Sequence, residues 1–363
     1  MKKKKINSFK NRNKVINFGI IGCGRIFTKH YEIFEKKLFK NVNLIAICDK
    51  NLIKLNKINN KKIKKYTDYE LMISDSNIQN IIILTESGNH FSIAKKCLLA
   101  KKNIIVEKPF CLKLKDAYNL IKISRKIKRK IFVVMQNRFN EPVKISKKFL
   151  DKKKLGKLVS LSIRVRWFRD QSYYNLDKWR GSWKYDGGAL TNQGIHHIDL
   201  LQFFGGAINH VSCYSSKRLS KIESEDTAVG ILKFKNGAVG TLEVTTGARP
   251  KDLEGSISIL GEKGTIEIGG FAANKIKTWL FINNKDNIRY SKYFENPKNV
   301  YGFGHKKFYQ QVINSLNGKK NFAVTAEDSL KSLHILHALY ESSIKKKTII
   351  VNKKNFINKL NLA

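Results

Sequence analysis

Four stretches of this chain hold side chains that could do chemistry. The first is Gly22-Cys23-Gly24, which follows the apolar run Val15-Ile16-Asn17-Phe18-Gly19-Ile20-Ile21 and opens a helical pattern. Glycines at such a turn let the backbone approach a pyrophosphate, and the helix N-terminus adds N–H donors and a positive dipole. The third small position of that fingerprint is filled by Phe27, a departure. Asp49 ends a second apolar run, Leu44-Ile45-Ala46-Ile47-Cys48. An acid there accepts both ribose hydroxyls and repels a 2′-phosphate, which favours NAD over NADP.

The second stretch is Glu107-Lys108-Pro109, directly after a strand-like run. Ligands of open α/β sheets bind outside the carboxyl ends of the strands. A lysine placed there can bond a substrate hydroxyl and, partly desolvated, act as acid or base. In a chain this rich in lysine, composition alone would favour a surface position. The third stretch runs from Gly187-Gly188 through Asn192 and His196-His197 to Asp199-Leu200. On a helix, Asn192 and His196 share a face, so His196 could move a proton while Asn192 fixes geometry. His197 points away and reads as structural. Metal binding by His196, His197 and Asp199 is disfavoured because adjacent helical histidines diverge.

The fourth stretch, residues 164–185, interleaves cations with aromatics. Arg169, Tyr174, Lys178, Trp179, Arg180 and Trp183 suit a phosphorylated ligand with a ring to stack. Arg164 and Arg166, on the polar face of a strand, suit an interface or solvent. The same composition also occurs at protein interfaces and in single-strand nucleic-acid grooves.

The elements around these stretches divide the chain. Five short apolar runs (15–21, 44–48, 81–84, 104–106 and 131–135) alternate with helical segments, which predicts a parallel sheet covered on both faces. Beyond Pro142 the pattern alternates instead. Val159, Leu161, Ile163, Val165 and Trp167 share one strand face. Asn236-Gly237 marks one hairpin and Gly261-Glu262-Lys263-Gly264 a second. A helix starts near Gly188 and another near Thr325, where Asp328 completes a capping box. The expected fold is α/β: an N-terminal parallel sheet over 15–138 and an α+β domain with a largely antiparallel open sheet over 139–350. Residues 1–14 read as a basic disordered lead-in and 351–363 as a tail.

Composition bounds the partners. The net charge is +43, from 71 Lys and Arg against 28 Asp and Glu. The excess is mostly lysine, scattered along the chain and accompanied by Asn and Ile, as AT-rich codon usage produces. It therefore argues weakly for a specific nucleic-acid partner. The five cysteines (Cys23, Cys48, Cys97, Cys111 and Cys213) form no C-x-x-C, which disfavours a disulfide framework or zinc site and suits a reducing cytoplasm. No apolar run is long enough to span a membrane, and no signal-peptide pattern is present.

Taken together, Gly19 to Ile26, Asp49, Thr85, His90, Val106 to Pro109, Gly187-Gly188 and Gly194 to Leu200 resemble the Gfo/Idh/MocA oxidoreductase family in order and spacing. The resemblance implies a Rossmann domain followed by a mixed α/β domain whose open sheet face makes homodimer or homotetramer contacts. It implies NAD(H) or NADP(H) at Gly22, Gly24, Arg25, Ile26 and Asp49, with Thr85, His90, Glu107 and Gln136 lining the cleft. It implies Lys108 and His196 as catalytic residues, a cis Lys108-Pro109 bond, and a sugar substrate near Asp199. The family most often carries Asp where this chain has Asn192, and an amide cannot take a proton, so weight shifts to Lys108. Gln136 to Asn140 and Trp179 to Trp183 resemble members from surface-polysaccharide gene sets, which oxidise C3 of UDP-N-acetylglucosamine or its uronate ahead of an aminotransferase. A free polyol such as an inositol is the alternative substrate. Retention of both Lys108 and His196 argues against a non-catalytic NAD sensor.

Overall fold

The computed structural model describes residues 15–297, 299–353 and 355–362. The expected basic lead-in, 1–14, lies outside the described residues. Six strands form the first sheet: β1 (Ile16–Ile21), β2 (Val42–Cys48), β3 (Lys64–Tyr66), β4 (Asn80–Ile83), β5 (Asn103–Val106) and β6 (Ile131–Val133). They are all parallel, in the order β3-β2-β1-β4-β5-β6. β4 and the end of β5 are buried on both faces, which is why these strands read as unbroken apolar runs. Strand order reverses between β1 and β4, and the Gly22–Gly24 turn leaves β1 at that switch point. The edge strand β3 went unforeseen because its Lys-Lys-Tyr sequence buries little and has no apolar run to announce it.

The second sheet contains β7 (Leu158–Arg166), β8 (Ile208–Ser216), β9 (Thr227–Phe234), β10 (Val239–Thr245), β11 (Glu254–Gly261), β12 (Gly264–Gly269), β13 (Lys275–Phe281) and β14 (Ile349–Ile350). Its order is β13-β12-β11-β7-β10-β9-β8-β14. Only the β7–β10 pair is parallel. Both expected hairpins are present, and Gly237 takes φ +93° in the first. Leu161, Ile163 and Val165 face inward as the alternation predicts, but Val159 is exposed, lying at the outer end of β7. The helices Ile195–Gly205 and Ala326–Lys345 pack on one face of the sheet, the second beginning with the Thr325–Asp328 capping box.

The expected boundary near residue 138 is crossed by returning chain. Val133 N–H donates to Val324 O at 3.0 Å. Gly304 opens helix Gly304–Leu316 so close to the Gln136 carbonyl that a Cβ would lie 2.0 Å from it, so only glycine fits there. Described residues of the expected tail pack on helix Ala326–Lys345. Phe356 and Leu360 are buried, and Glu341 receives Lys353 and the Ile357 N–H.

Candidate active site

Lys108 leaves the carboxyl end of β5, and its peptide bond to Pro109 is cis. Across the junction between the sheets, the segment Leu190–Gly194 makes one wide helical turn with i→i+5 bonding before the regular helix starts at Ile195. Such turns interrupt regular helical bonding and recur at functional sites. Here Lys108 Nζ reaches both oxygens of Asn192, its carbonyl at 2.9 Å and its Oδ1 at 3.1 Å. The Asn192 amide Nδ2 donates in turn to Oδ1 of the buried Asp186. Burial pushes the Lys108 ammonium below its ordinary range, against the opposing pull of Glu107 and Asp186.

His196 follows one helical turn after Asn192. Its Nε2 lies 3.3 Å from Gln136 Nε2, and its Nδ1 is buried without a hydrogen-bond partner. Burial, reinforced by the Lys108 charge, drives its pKa well below that of a free imidazole, so the ring is neutral at neutral pH. His197 turns away and packs edge-on against Trp167, the structural position expected of it.

Glu107 lies beneath Lys108. Its Oε1 pairs with His30 Nε2 at 3.0 Å, and its Oε2 accepts the Lys108 N–H. Burial alone would raise this carboxyl, but the His30 bond and charge, with Lys108, reverse that and hold it near pKa 2. His30 Nδ1 also bonds Tyr309 Oη at 2.6 Å. His305 completes a buried His30–Glu107–His305 group that the sequence reading did not find, since its members are scattered along the chain. Both His30 nitrogens are already engaged by Tyr309 and Glu107, so hydrogen bonding accounts for His30 and Glu107 without a metal.

The dinucleotide turn fits its expected ligand. Gly22 has φ +97°, and a Cβ there would lie 2.8 Å from the Leu84 backbone. A Cβ on Gly24 would meet nothing within 4 Å, so that face is open for a bound group. Asp49 Oδ2 accepts the Cys23 N–H at 2.8 Å, which ties the acid to the turn. Ile26 immediately precedes helix Phe27–Glu35, and Arg25 stacks toward Tyr173 at 6.0 Å. Thr85 follows β4 beside this turn.

Of the expected ligand-binding side chains, Arg169 and Arg180 converge on the Tyr173 ring, at 5.3 and 4.7 Å, and both lie close enough to depress Lys108 by charge. Arg180 also stacks on Trp179 at 4.5 Å. Lys178 and Arg180 line a cavity of about 1010 Å³ with Lys217, Arg218 and Lys221. Tyr173, one of the aromatics of the 164–185 stretch, lies in this region, and Tyr301 joins it from outside that stretch.

Four of the expected site residues have partners within the protein. Both Asp199 oxygens are taken by Arg138, at 2.6 and 2.7 Å, and Ser332 adds a third bond. Tyr174 is buried with its hydroxyl on Thr246. Trp183 packs edge-on against Tyr340 of helix Ala326–Lys345. His90 is buried, its two nitrogens on the Pro109 and Thr85 carbonyls, so it braces the loops around Lys108. Each is a polar or aromatic side chain whose internal partner could not be read from its spacing.

Residues 16–135 match the oxidoreductase family's NAD-binding Rossmann fold, and residues 147–351 match the C-terminal alpha/beta domain of the same family, GFO_IDH_MocA. The chain belongs to this family and is an NAD-dependent sugar oxidoreductase. The WlbA dehydrogenase of Bordetella pertussis, solved with NADH and UDP-GlcNAcA, is 34% identical, with 93% of this chain and 98% of that one aligned and a TM-score of 0.87. The WlbA of Chromobacterium violaceum, solved with the same two ligands, is 32% identical over 95% and 98%, also at 0.87. The myo-inositol 2-dehydrogenase of Thermotoga maritima is 27% identical over 92% of this chain and 98% of its own length.

Two outcomes follow from this geometry. Gly24→Val should unfold at the parent's temperature without cofactor, yet lose the thermal stabilisation that added NAD confers; stabilisation equal to the parent's would refute the cradle. Asp199→Ala strands the buried Arg138 charge and should cost about 3–5 kcal/mol in urea unfolding, with KM for the sugar unchanged. A raised KM at unchanged stability would restore Asp199 as a ligand contact.

Proposed function

We propose that this enzyme oxidises the C3 hydroxyl of a UDP-linked N-acetylglucosamine-type sugar or its uronate. The observation that carries the reading is near full-length similarity to two dehydrogenases solved with UDP-GlcNAcA. The Arg169, Arg180, Tyr173 and Trp179 cluster beside Lys108 supports it, since it sets two guanidinium groups, paired to Asp252 and Asp177, beside rings on which a base can stack.

When bound, NAD supplies the hydride acceptor. The chain's own part is proton transfer and positioning. Two of the hydrogens on Lys108 Nζ point at the two Asn192 oxygens. In the neutral amine the remaining position is a lone pair, able to take the sugar hydroxyl proton. In the ammonium it is an N–H, able to return a proton to the ketone. One geometry thus serves both directions. Neutral His196 serves as a hydrogen-bonding partner for the sugar, held by Gln136. Gly22, Gly24, Arg25, Ile26 and Asp49 would hold the dinucleotide, with Thr85, Glu107 and Gln136 along its cleft.

The likeness to an inositol dehydrogenase favours a second reading, oxidation of a free polyol. NADH formation from a panel of UDP-sugars and polyols separates the two. Signal confined to UDP-N-acetylglucosamine or its uronate is expected; signal from a polyol alone would overturn the nucleotide-sugar assignment. Lys108→Ala should lower kcat by about 10²–10⁴-fold with NAD affinity retained. In the parent, oxidation should rise with pH through the depressed lysine and level off below the ordinary lysine value of 10.5. Parental turnover in the variant would dismiss Lys108.

The second sheet's uncovered face carries exposed Tyr214, Val229, Ile231 and Leu280 beside the Arg164 and Arg166 pairs to Glu243, Glu254 and Glu267. We assign it to contact with a second copy. Ile231→Glu should shrink the particle measured by light scattering; an unchanged mass would reject that face. Five buried, unpaired cysteines suit a reducing, cytoplasmic setting. Among the described residues, no helix is long and apolar enough to cross a membrane.

A further inference from the structure

Asp186 is 2% exposed, and its two oxygens are held by an amide and a backbone N–H instead of a cation. Oδ2 accepts the Gly181 N–H at 2.8 Å, and Oδ1 accepts Asn192 Nδ2. A buried carboxylate with neutral partners is costly. Burial accordingly pushes it up to about 6, while the Gly181 N–H, Lys108, Asn192 and Arg180 pull the other way. Glu225 is the acidic neighbour that senses its charge from the other side.

The value of that carboxylate lies in the amide it holds. An asparagine amide can turn either end toward a neighbour. With Nδ2 committed to Asp186, Asn192 must show its oxygen to Lys108. We propose that Asp186 is a positioning residue for proton transfer, fixing the Asn192 amide and holding a negative charge one hydrogen bond behind the lysine. The inference rests on Lys108 being the proton-transfer group, and it places the compensating charge outside the Lys108–Asn192 pair.

Asp186→Asn keeps the size and can still accept from Gly181, but it offers an N–H₂ toward Asn192. The Asn192 amide then turns, and a donor faces Lys108. Adding Asn192→Asp reverses the pairing: the amide introduced at position 186 donates to the new carboxylate, which faces the lysine directly.

The test compares the parent, D186N, N192D and the double variant as NAD-loaded enzymes. D186N should lose about tenfold or more in kcat, with KM and NAD affinity unchanged. The double variant should regain most of that loss, a coupling that two independent structural defects would not give. A second readout needs no sugar: competitive acetylation of the Lys108 amine across pH, followed by mass spectrometry. Glu107 and Asp186 raise this amine, and Arg180 and Arg169 lower it, so removing the Asp186 charge should lower its titration midpoint. A D186N kcat within about twofold of the parent, or a double variant no better than D186N, overturns the proposal. If the parent oxidises none of the sugars, the substrate reading has failed, and the acetylation midpoint alone decides: a fall in D186N supports Asp186, and no change rejects it. Should D186N not fold, the double variant against N192D gives the same decision.

Discussion

The paired hydrogen bonds from Lys108 Nζ to the carbonyl and side-chain oxygens of Asn192 join the two halves of the molecule at its reactive point. The lysine belongs to the parallel sheet, placed by β5, and the asparagine to the wide turn that leads into helix Ile195–Gly205 of the second domain. Neither sheet alone makes a proton-transfer site. The wide turn at Leu190–Gly194 brings both oxygens within reach, and much of the surrounding structure holds those two elements in register. Gly304 packs on the Gln136 backbone, Val133 bonds Val324, and the Arg138–Asp199 pair ties the segment after β6 to helix Ile195–Gly205.

Electrostatics in this junction follow from burial more than from the large net charge. Lys108 and His196 are both pushed toward neutrality by desolvation. Glu107 is kept ionised by His30, and Asp186 is held by an amide and a backbone N–H. A lysine that can exist as the neutral amine, next to carboxylates that steady its ammonium, is poised to pass a proton either way. The scattered surface lysines do not enter this balance. They affect solubility and weak attraction to polyanions.

Much of this architecture was legible in the sequence because the signals were local. Continuous apolar runs marked the strands of the parallel sheet, Asn236-Gly237 marked a hairpin, and Thr325 with Asp328 marked a helix start. Asn192 and His196 fell on one side of a helical segment. What could not be read was long-range or depended on rotamers. β3 has no apolar run. His30 and His305 meet only through tertiary packing. Asp186 sits between the aromatic cluster and Gly187-Gly188, and nothing local shows that its carboxylate turns inward to Asn192. Asp199 has the spacing of a site residue, yet its partner is Arg138, 61 residues earlier in the chain.

The most direct test is a structure of the enzyme with NAD and the sugar that supports turnover. The reacting hydroxyl should lie within about 2.6–3.2 Å of Lys108 Nζ, with the Asn192 oxygens still accepting both hydrogens of the amine. A reacting hydroxyl bonded to a different acid or base, with Lys108 turned away from it, would contradict the assignment of proton transfer to this lysine.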